Sequence, residues 1–159
     1  MTEDAKASQA LTDEDLSATL NGSLDGWNKA MGLRFIKATK NEVVAELEIG
    51  PAHRQPYGIV HGGVHAGLVE TVASVGAALY AMAEGKSVVG LENSTSFLRA
   101  AREGVLRVTA LPLTRGRRTQ VWEGKVTDSS GRAVASGRVR LLCLEPDAAL
   151  AGETVAVKI

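Results

Sequence analysis

Residues 58–81, GIVHGGVHAGLVETVASVGAALYA, decide the fold of this chain. Large aliphatic side chains recur in and just after this stretch at steps of three and four, at Val64, Leu68, Val72, Val75, Leu79 and Met82. This spacing is typical of one face of an α-helix. The remaining positions are mostly small or apolar as well. We therefore predict a helix over about 63–83 that is buried on all sides, with Gly85 as its C-cap.

One carboxylate, Glu70, interrupts this apolar helix. The residues one turn away on its face are small, namely Ala66, Ala73 and Ser74, and Ala77 follows a turn later. A solvated helix face normally carries several charged side chains, whereas small residues let a ligand or another backbone approach. A buried carboxylate is costly unless it is paired or its pKa shifts, and such groups are often functional. An ordinary hydrogen-bonded glutamate remains the alternative.

The helix begins with His61, Gly62 and Gly63. The first N–H groups of a helix have no partner inside it and lie at the positive end of its dipole, so they suit an oxygen that becomes negative. A tight turn into the helix is the alternative. Gly62 and Glu70 are eight residues apart, or about 12 Å along a helix. If both act on one atom, they must come from two chains.

The segments around the helix predict strands. Alternating apolar positions and turn residues indicate them over 32–39, 42–50, 87–99, 104–113, 118–128 and 133–145. Upstream, residues 1–10 are expected to be disordered, and a short helix is expected after them, with Thr12 as N-cap and Asp15 completing a capping box. The order β-β-α-β-β-β-β, with short links, predicts an α+β fold in which one helix lies across about six antiparallel strands.

Composition narrows the class of protein. The chain has 159 residues, no net charge and 45% hydrophobic residues, which suits one globular domain and gives no indication of nucleic-acid or anionic-membrane binding. The single cysteine, Cys143, excludes an internal disulfide and is expected to be a small buried hydrophobic residue. No basic and apolar leader is evident, and no apolar run reaches the length of a membrane span, so we expect a cytoplasmic protein.

Two segments carry a resemblance to a known family. RQPYGIVHGGVHAGLVETVAS, residues 54–74, and NSTSFLRAAREGVLRVTA, residues 93–110, resemble the hotdog-fold acyl-CoA thioesterases. The match is to the subgroup of 4-hydroxybenzoyl-CoA thioesterases with a catalytic Glu and PaaI-like thioesterases. It covers about residues 30–145. It implies a long central helix wrapped by a curved antiparallel sheet, a homodimer with one continuous sheet, and often a dimer of dimers, hence a homotetramer.

The resemblance also implies an acyl-CoA thioester hydrolase and a domain division. The hotdog thioesterase domain would span 30–146, preceded by a polar segment with a short helix over 1–29 and followed by a tail over 147–159. The resemblance implies a small acyl-CoA or aroyl-CoA molecule as the substrate, and we expect no nucleic-acid or membrane partner.

Individual positions match the family's catalytic residues. Glu70 matches the helix carboxylate that acts as nucleophile or general base, and Gly62 matches the residue whose N–H polarises the thioester carbonyl. Gln55 matches a loop side chain near that carbonyl and the attacking water. His61 matches a histidine that positions the thioester, and Ser74 matches a hydroxyl residue that holds the water or the carboxylate. In the family, Glu70 and Ser74 face the other three residues across the dimer.

We expect arginine side chains to bind the coenzyme A portion of the substrate. Six of them lie between residues 99 and 118 against one acid, and arginine binds phosphate bidentately. The resemblance favours Arg99, Arg117 and Arg118 for CoA binding, with Thr119 as a weaker candidate; solvated surface positions are the alternative.

The acyl pocket is expected beside the helix, on the strand that follows it. By the same resemblance, Asn93, Ser94 and Thr95 shape this pocket.

Three histidines, His53, His61 and His65, lie within thirteen residues and raise the question of a zinc site. Two of them flank the Gly-Gly helix start, and no carboxylate or cysteine stands at a matching spacing. We therefore predict no metal and no cofactor, with His53 and His65 in structural or peripheral positions.

Three alternatives to a thioesterase stay open. A hotdog β-hydroxyacyl thioester dehydratase would need a different histidine loop. A non-catalytic acyl-CoA-binding sensor would usually carry a DNA-binding domain, and a purely structural dimerisation domain leaves Glu70 and Gln55 unexplained. The sequence leaves open the acyl group, dimer against tetramer, and nucleophile against general base for Glu70.

Overall fold

The computed structural model describes residues 14–155. Two short helices, α1 and α2, come first and are followed by two strands, a long helix α3 and six more strands. The helices span Ser17–Gly22 (α1), Gly26–Met31 (α2) and Gly62–Ala81 (α3), with 3-10 turns at Pro51–His53 and Met82–Glu84. The strands span Arg34–Ala38 (β1), Val43–Glu48 (β2), Ser87–Phe97 (β3), Val105–Arg115 (β4), Thr119–Thr127 (β5), Ala133–Leu144 (β6), Ala149–Leu150 (β7) and Glu153–Thr154 (β8).

Six of the strands form one sheet in the order β1-β2-β4-β5-β6-β3, and every neighbouring pair is antiparallel. Helix α3 packs across this sheet and contacts β2, β3, β4, β5 and β6. The architecture confirms the predicted α+β hotdog fold. Strand β3 follows α3 in the chain but pairs with β6, so it forms an edge of the sheet with one side unpaired.

Helix α3 is buried along its length. Leu68, Val69 and Val72 are fully buried, and no residue from 64 to 81 is exposed. The apolar character that the sequence shows on all sides of the helix thus corresponds to packing inside the sheet. The 3-10 turn extends the helix, and Gly85 ends it with a φ of 68°, as predicted.

Length alone does not distinguish α3 from a membrane-spanning helix. The segment Gly62–Glu84 is long and apolar enough to cross a bilayer, so the expectation that no segment reaches that length is wrong. The packing of α3 against five strands explains its composition, because the core helix of a folded domain needs apolar residues on the same positions.

A tryptophan from the sheet closes the core over α3. The ring of Trp122 lies directly on Gly76, where an added Cβ would come within 2.5 Å of the ring. The indole Nε1 donates to Oε1 of Gln120 at 2.9 Å, and Gln120 Nε2 donates to the carbonyl of Ala77 at 3.1 Å. Both side chains are fully buried, and each polar atom that they bring into the core is hydrogen-bonded.

The amino-terminal region differs from the sequence expectation. Thr12 lies outside the described residues, and the helix that follows begins at Ser17 with Leu16 as its N-cap. Asp15 instead accepts from the backbone N–H groups of Ser17 and Ala38, which fastens the segment to β1.

Helix α2 was not predicted. It is bracketed by the N-cap Asp25, which accepts from Gly26 N at 2.8 Å, and by Gly32 at a φ of 71°. An N-cap aspartate and a C-terminal glycine are helix boundary signals in the sequence, so the helix could have been found from them.

The carboxyl-terminal strand and tail hold two smaller differences. Cys143 is only half-buried, so the expectation of a buried cysteine is wrong. Its backbone N–H donates to the carbonyl of Arg118, since the end of β6 lies against the β4–β5 turn rather than in the core. The tail, for which the sequence made no clear prediction, forms the two-residue pair β7–β8.

Candidate active site

The first turn of α3 presents one free backbone donor. His61 is the N-cap, and its Nδ1 accepts from the N–H of Gly63 at 2.8 Å. Because Nδ1 is an acceptor, the proton of the neutral ring is on Nε2. The N–H of Gly62 has no partner within residues 14–155. Of the two glycines, Gly62 is therefore the one whose N–H can bind a carbonyl oxygen.

The loop before α3 is held in place by its own backbone. The N–H of Gln55 donates to Ile59 O, and the N–H of Gly58 donates to Gln55 O, both at 2.9 Å. The side-chain Oε1 of Gln55 accepts from the N–H of Tyr57. These bonds leave the amide Nε2 without a partner in the described part of the chain. Gln55 thus carries a fixed side chain with a spare donor.

A cleft of about 550 Å³ joins these groups. Gln55, His61, Gly62 and Arg99 all line it, together with Phe97. The ring of Phe97 packs on Gly62, where an added Cβ would lie 2.7 Å from the ring. We call this the helix-start cleft. Three of the five predicted catalytic residues therefore lie in the same cleft as Arg99, which is predicted to bind CoA.

His65 forms part of the wall of the helix-start cleft. It is only 3% exposed, and burial lowers the pKa of its imidazole, so the ring is neutral near pH 7. Among residues 14–155, its Nδ1 is the one buried side-chain N or O atom that lacks a hydrogen-bond partner. Its ring centroid is 6.1 Å from that of Phe97.

Glu70 lies elsewhere, in a network of side chains on α3 and β3. Its Oε2 accepts from Nδ2 of Asn93 at 2.9 Å, and its Oε1 accepts from Ser74 Oγ at 3.4 Å. Asn93 Nδ2 also donates to Ala66 O at 3.0 Å, and Thr95 Oγ1 donates to Asn93 Oδ1 at 2.7 Å. Both oxygens of the carboxylate are therefore held. Asn93 and Thr95, predicted for the acyl pocket, are placed beside this carboxylate.

A glycine that sequence reasoning missed makes room for Glu70. A Cβ added at Gly90 would lie 2.5 Å from Glu70 Oε1, so only glycine lets the carboxylate rest on β3 at this position. The register of β3 against β6 shifts between Gly90 and Glu92. A glycine inside a strand often marks a bulge or a close approach, and this is the signal that could have identified it.

Glu70 lines a second cleft rather than the first. The cleft has a volume of about 380 Å³ and lies between α2 and α3. Its lining residues are Asp25, Trp27, Asn28, Gly67, Glu70 and Thr71. We call it the helix-pair cleft. Glu70 and Gly62 are therefore in separate clefts of one chain, in agreement with the spacing of about 12 Å along α3.

The remaining predicted binding residues are spread over the sheet. Phe97, just before Arg99, pairs with Ala135, whereas Thr119, next to Arg117 and Arg118, pairs with Leu142. These positions on β6 are seven residues apart, or about 23 Å. Within one chain, the structure does not bring Arg99 together with the β4–β5 turn.

Ser94 and the two arginines of the β4–β5 turn, Arg117 and Arg118, line neither cleft. Ser94 pairs with the exposed Arg138 on the outer face of the sheet, opposite to Asn93 and Thr95. Arg117 and Arg118 are exposed, and their carbonyls accept from Lys86 Nζ and Cys143 N.

The histidines do not converge. Nδ1 of His53 accepts from Gly50 N, and its Nε2 lies 2.8 Å from the carbonyl of Met31, so its ring fastens two loops. Across residues 14–155, no group of three or more His, Cys, Asp or Glu side chains is arranged to hold a metal ion.

Comparisons with known proteins identify the family of this chain. The model of the thioesterase superfamily matches residues 57–135. A Mycobacterium tuberculosis protein that is provisionally named an esterase is 41% identical over 133 residues, covering 82% of this chain and 94% of that protein. Its solved structure superposes with a TM-score of 0.74, covering 75% of this chain and 96% of the other.

Two further relatives have more specific names. The 1,4-dihydroxy-2-naphthoyl-CoA hydrolase of Escherichia coli is 35% identical over 129 residues, covering 81% of this chain and 92% of that enzyme. The structure of a Haemophilus influenzae thioesterase superposes with a TM-score of 0.78 at 27% identity, covering 84% of this chain and 94% of the other.

Proposed function

We propose that this chain, which belongs to the thioesterase superfamily, hydrolyses acyl-CoA thioesters in an active site shared by two subunits. The observation that carries the proposal is the separation of the two clefts. Gly62 and Gln55 supply donors in the helix-start cleft, while Glu70 is held in the helix-pair cleft. A reaction that needs all three groups at one carbonyl requires the clefts of two chains to meet.

The free edge of β3 offers a way to bring them together. It has eleven residues and pairs only with β6 on its other side. In an antiparallel pairing of two β3 edges, the Phe97 end of one strand lies beside the Gly90 end of the other. Phe97 packs on Gly62, and Gly90 packs on Glu70. Such a homodimer would place Gly62 of one subunit near Glu70 of the partner subunit.

The proposed reaction begins with polarisation of the thioester. The carbonyl oxygen accepts from the Gly62 N–H at the positive end of α3, and the spare Nε2 of Gln55 donates to the same oxygen or to the attacking water. His61, whose Nε2 carries the proton, positions the thioester from the side. These donors lie at fixed positions before substrate arrives, so their dipoles need no rearrangement as negative charge develops.

Glu70 then delivers the nucleophile. As general base, it removes a proton from water while the water oxygen bonds to the carbonyl carbon. Collapse of the tetrahedral intermediate breaks the C–S bond, and coenzyme A leaves as a thiolate that takes up the proton. As nucleophile, Glu70 would instead attack the carbonyl carbon, and the C–S bond would break to release coenzyme A as a thiolate and leave an anhydride that water hydrolyses to the acid and free Glu70. Ser74 and Asn93 orient the carboxylate in both routes, and neither route uses a metal or an organic cofactor.

The phosphates of coenzyme A are assigned to arginines at one end of the dimer. Arg99 lines the helix-start cleft, and antiparallel pairing of the β3 edges would bring the partner subunit's β4–β5 turn to the same end. Arg117 and Arg118 would then act together with Arg99, and Thr119 would lie beside them. The pairing of such dimers into a homotetramer and a cytoplasmic location stay predictions.

Thiol release from acyl-CoA esters tests the proposal. We expect Glu70→Gln to lose about 10²- to 10⁴-fold in kcat, the range typical of a lost general base. Glu123→Gln is the matched control, because Glu123 is a half-buried glutamate on the outer side of β5 that pairs with Arg138, away from both clefts. Undiminished turnover in Glu70→Gln would overturn the role of Glu70. Tight binding of CoA esters by the wild type without thiol release would indicate an acyl-CoA sensor instead.

A further inference from the structure

The helix-pair cleft has a feature that thioester chemistry alone does not require. Its outer wall is α2, a helix of six residues that places Trp27 opposite Glu70. The volume of about 380 Å³ falls within the range of small-molecule sites, about 300–1,000 Å³. The cleft therefore has room for part of a substrate directly beside the proposed catalytic carboxylate.

Trp27 in this cleft combines an exposed ring with a tight contact to α3. Its side chain is 41% exposed, and its Nε1 has no hydrogen-bond partner in the part of the chain that the structure describes. Yet one edge of the ring is tightly seated on α3. A Cβ added at Gly67 would lie 2.5 Å from two carbon atoms of the indole. Gly67 precedes Glu70 by three residues, so the ring stands less than one helical turn from the carboxylate.

Helix α2, which carries Trp27, is fixed by its neighbours. Thr71 Oγ1 on α3 donates to Oδ1 of Asn28 at 3.0 Å, which ties α2 to the central helix. Asp25 caps the start of α2, and the N–H of Leu33 donates to the carbonyl of Asn28 at 3.0 Å. These bonds hold the backbone that carries the indole in place, so a ligand that contacts the ring needs to order little of the protein.

We infer that Trp27 is a specificity-determining residue and that the helix-pair cleft takes a flat aromatic acyl group in preference to a flexible alkyl chain. This inference rests on the proposed function, because it places the acyl group beside Glu70. An aromatic ring can lie against the indole with little loss of conformational freedom, and paired rings gain more than their buried area accounts for. A bound alkyl chain is stabilised only by the burial of its apolar surface, and it loses conformational freedom at every rotatable bond.

The test compares kcat/KM for benzoyl-CoA and hexanoyl-CoA in the same preparations. We expect the wild type to favour benzoyl-CoA. Trp27→Leu should lower the benzoyl-to-hexanoyl ratio by about tenfold, and Trp27→Phe should restore most of it, because the aromatic contact is worth about that factor in binding. An unchanged ratio in Trp27→Leu, or a wild type that favours hexanoyl-CoA, would overturn the inference.

A second variant reaches the same contact without altering Trp27. Gly67→Ala adds the Cβ that the indole occupies and must move the ring, while alanine suits the helix. We expect the same direction of change in the ratio and a melting temperature close to that of the wild type. An unchanged ratio in Gly67→Ala would likewise count against Trp27 as the selective element.

The Glu70→Gln variant distinguishes a failure of the acyl assignment from a failure of the proposed function. If this variant is inactive on both esters while the ratio is insensitive to Trp27 and Gly67, only the acyl assignment is wrong. If Glu70→Gln turns over both esters at the wild-type rate, the proposed function fails, and the acyl assignment fails with it.

Discussion

Two tryptophans lie on glycines of the central helix, and they differ in what covers their other side. Trp122 sits on Gly76, is fully buried and donates its Nε1 to Gln120. Trp27 sits on Gly67, is 41% exposed and leaves its Nε1 unpaired within residues 14–155. The local contact is the same in both cases. A fully covered ring with its polar atom paired belongs to the core, and a half-covered ring next to a carboxylate is available to a ligand.

We expect the largest difference in stability between the two sites when each tryptophan is replaced by alanine. Trp122→Ala should lower the free energy of unfolding by about 3–5 kcal/mol, since it empties a fully buried site. Trp27→Ala should cost much less, because half of its ring already contacts solvent. Urea unfolding of the two variants measures both values. Equal losses would show that Trp27 is a core residue and would remove the contrast between the two sites.

A third close contact on the helix involves a carboxylate rather than a ring. Gly90→Ala places a Cβ 2.5 Å from Glu70 Oε1, and the flexible end of the glutamate can move away at little cost in stability. We expect thiol release to fall by about 10²-fold, as for a catalytic group displaced by about 1 Å. The melting temperature should change little. Full activity in Gly90→Ala would mean that the position of the carboxylate seen here is not needed for turnover.

Substitution of the two glycines beneath the tryptophans should have a smaller effect on stability. Gly76→Ala should destabilise the protein by about 1–3 kcal/mol, because Trp122 is enclosed and cannot move aside. Gly67→Ala should leave stability near that of the wild type, since Trp27 can shift into solvent. Thermal unfolding of this matched pair compares the two sites directly, and a similar loss in both would contradict the distinction.

The smallest effect concerns pH and the buried His65. Burial lowers the pKa of this imidazole below its ordinary 6.5, so between the two pKa values the unfolded chain binds a proton that the folded chain does not. Stability therefore falls as pH decreases below about 6.5, with a slope below about 1.4 kcal/mol per pH unit, the limit for one proton. His65→Leu should flatten this dependence between pH 7 and 5 in urea unfolding. An identical slope in the variant would show that His65 is not the titrating group.

The central helix and the strand order could be predicted because their signals are local. Apolar steps of three and four mark α3, and alternation with turn residues marks the strands. The separation of Gly62 from Glu70 also follows from their spacing along one helix. The sequence alone could not predict which elements that are distant in the chain contact each other. The placement of Asn93 beside Glu70, and of Trp27 on Gly67, depends on how β3 and α2 pack against α3.

The acyl pocket shows the same limit. The strand residues Asn93 and Thr95 are predicted to shape it, and the structure places Asn93 on the carboxylate of Glu70 and Thr95 on the side-chain amide of Asn93. Ser94, their neighbour, faces the outer side of the sheet. Alternation along a strand predicts that Ser94 differs from the other two, but the sequence alone does not show which face meets the helix.

A hybrid dimer tests the shared active site most directly. Glu70→Ala and Gln55→Ala subunits, carrying different affinity tags, would be co-expressed and the mixed dimer purified through both tags. If Glu70 acts with Gln55 of the partner subunit, one of the two sites contains both wild-type residues, and the hybrid should recover about half of the wild-type thiol release although both parent dimers are nearly inactive. If Glu70 acts with Gln55 of its own chain, neither site is complete. A hybrid no more active than its parents would contradict the account.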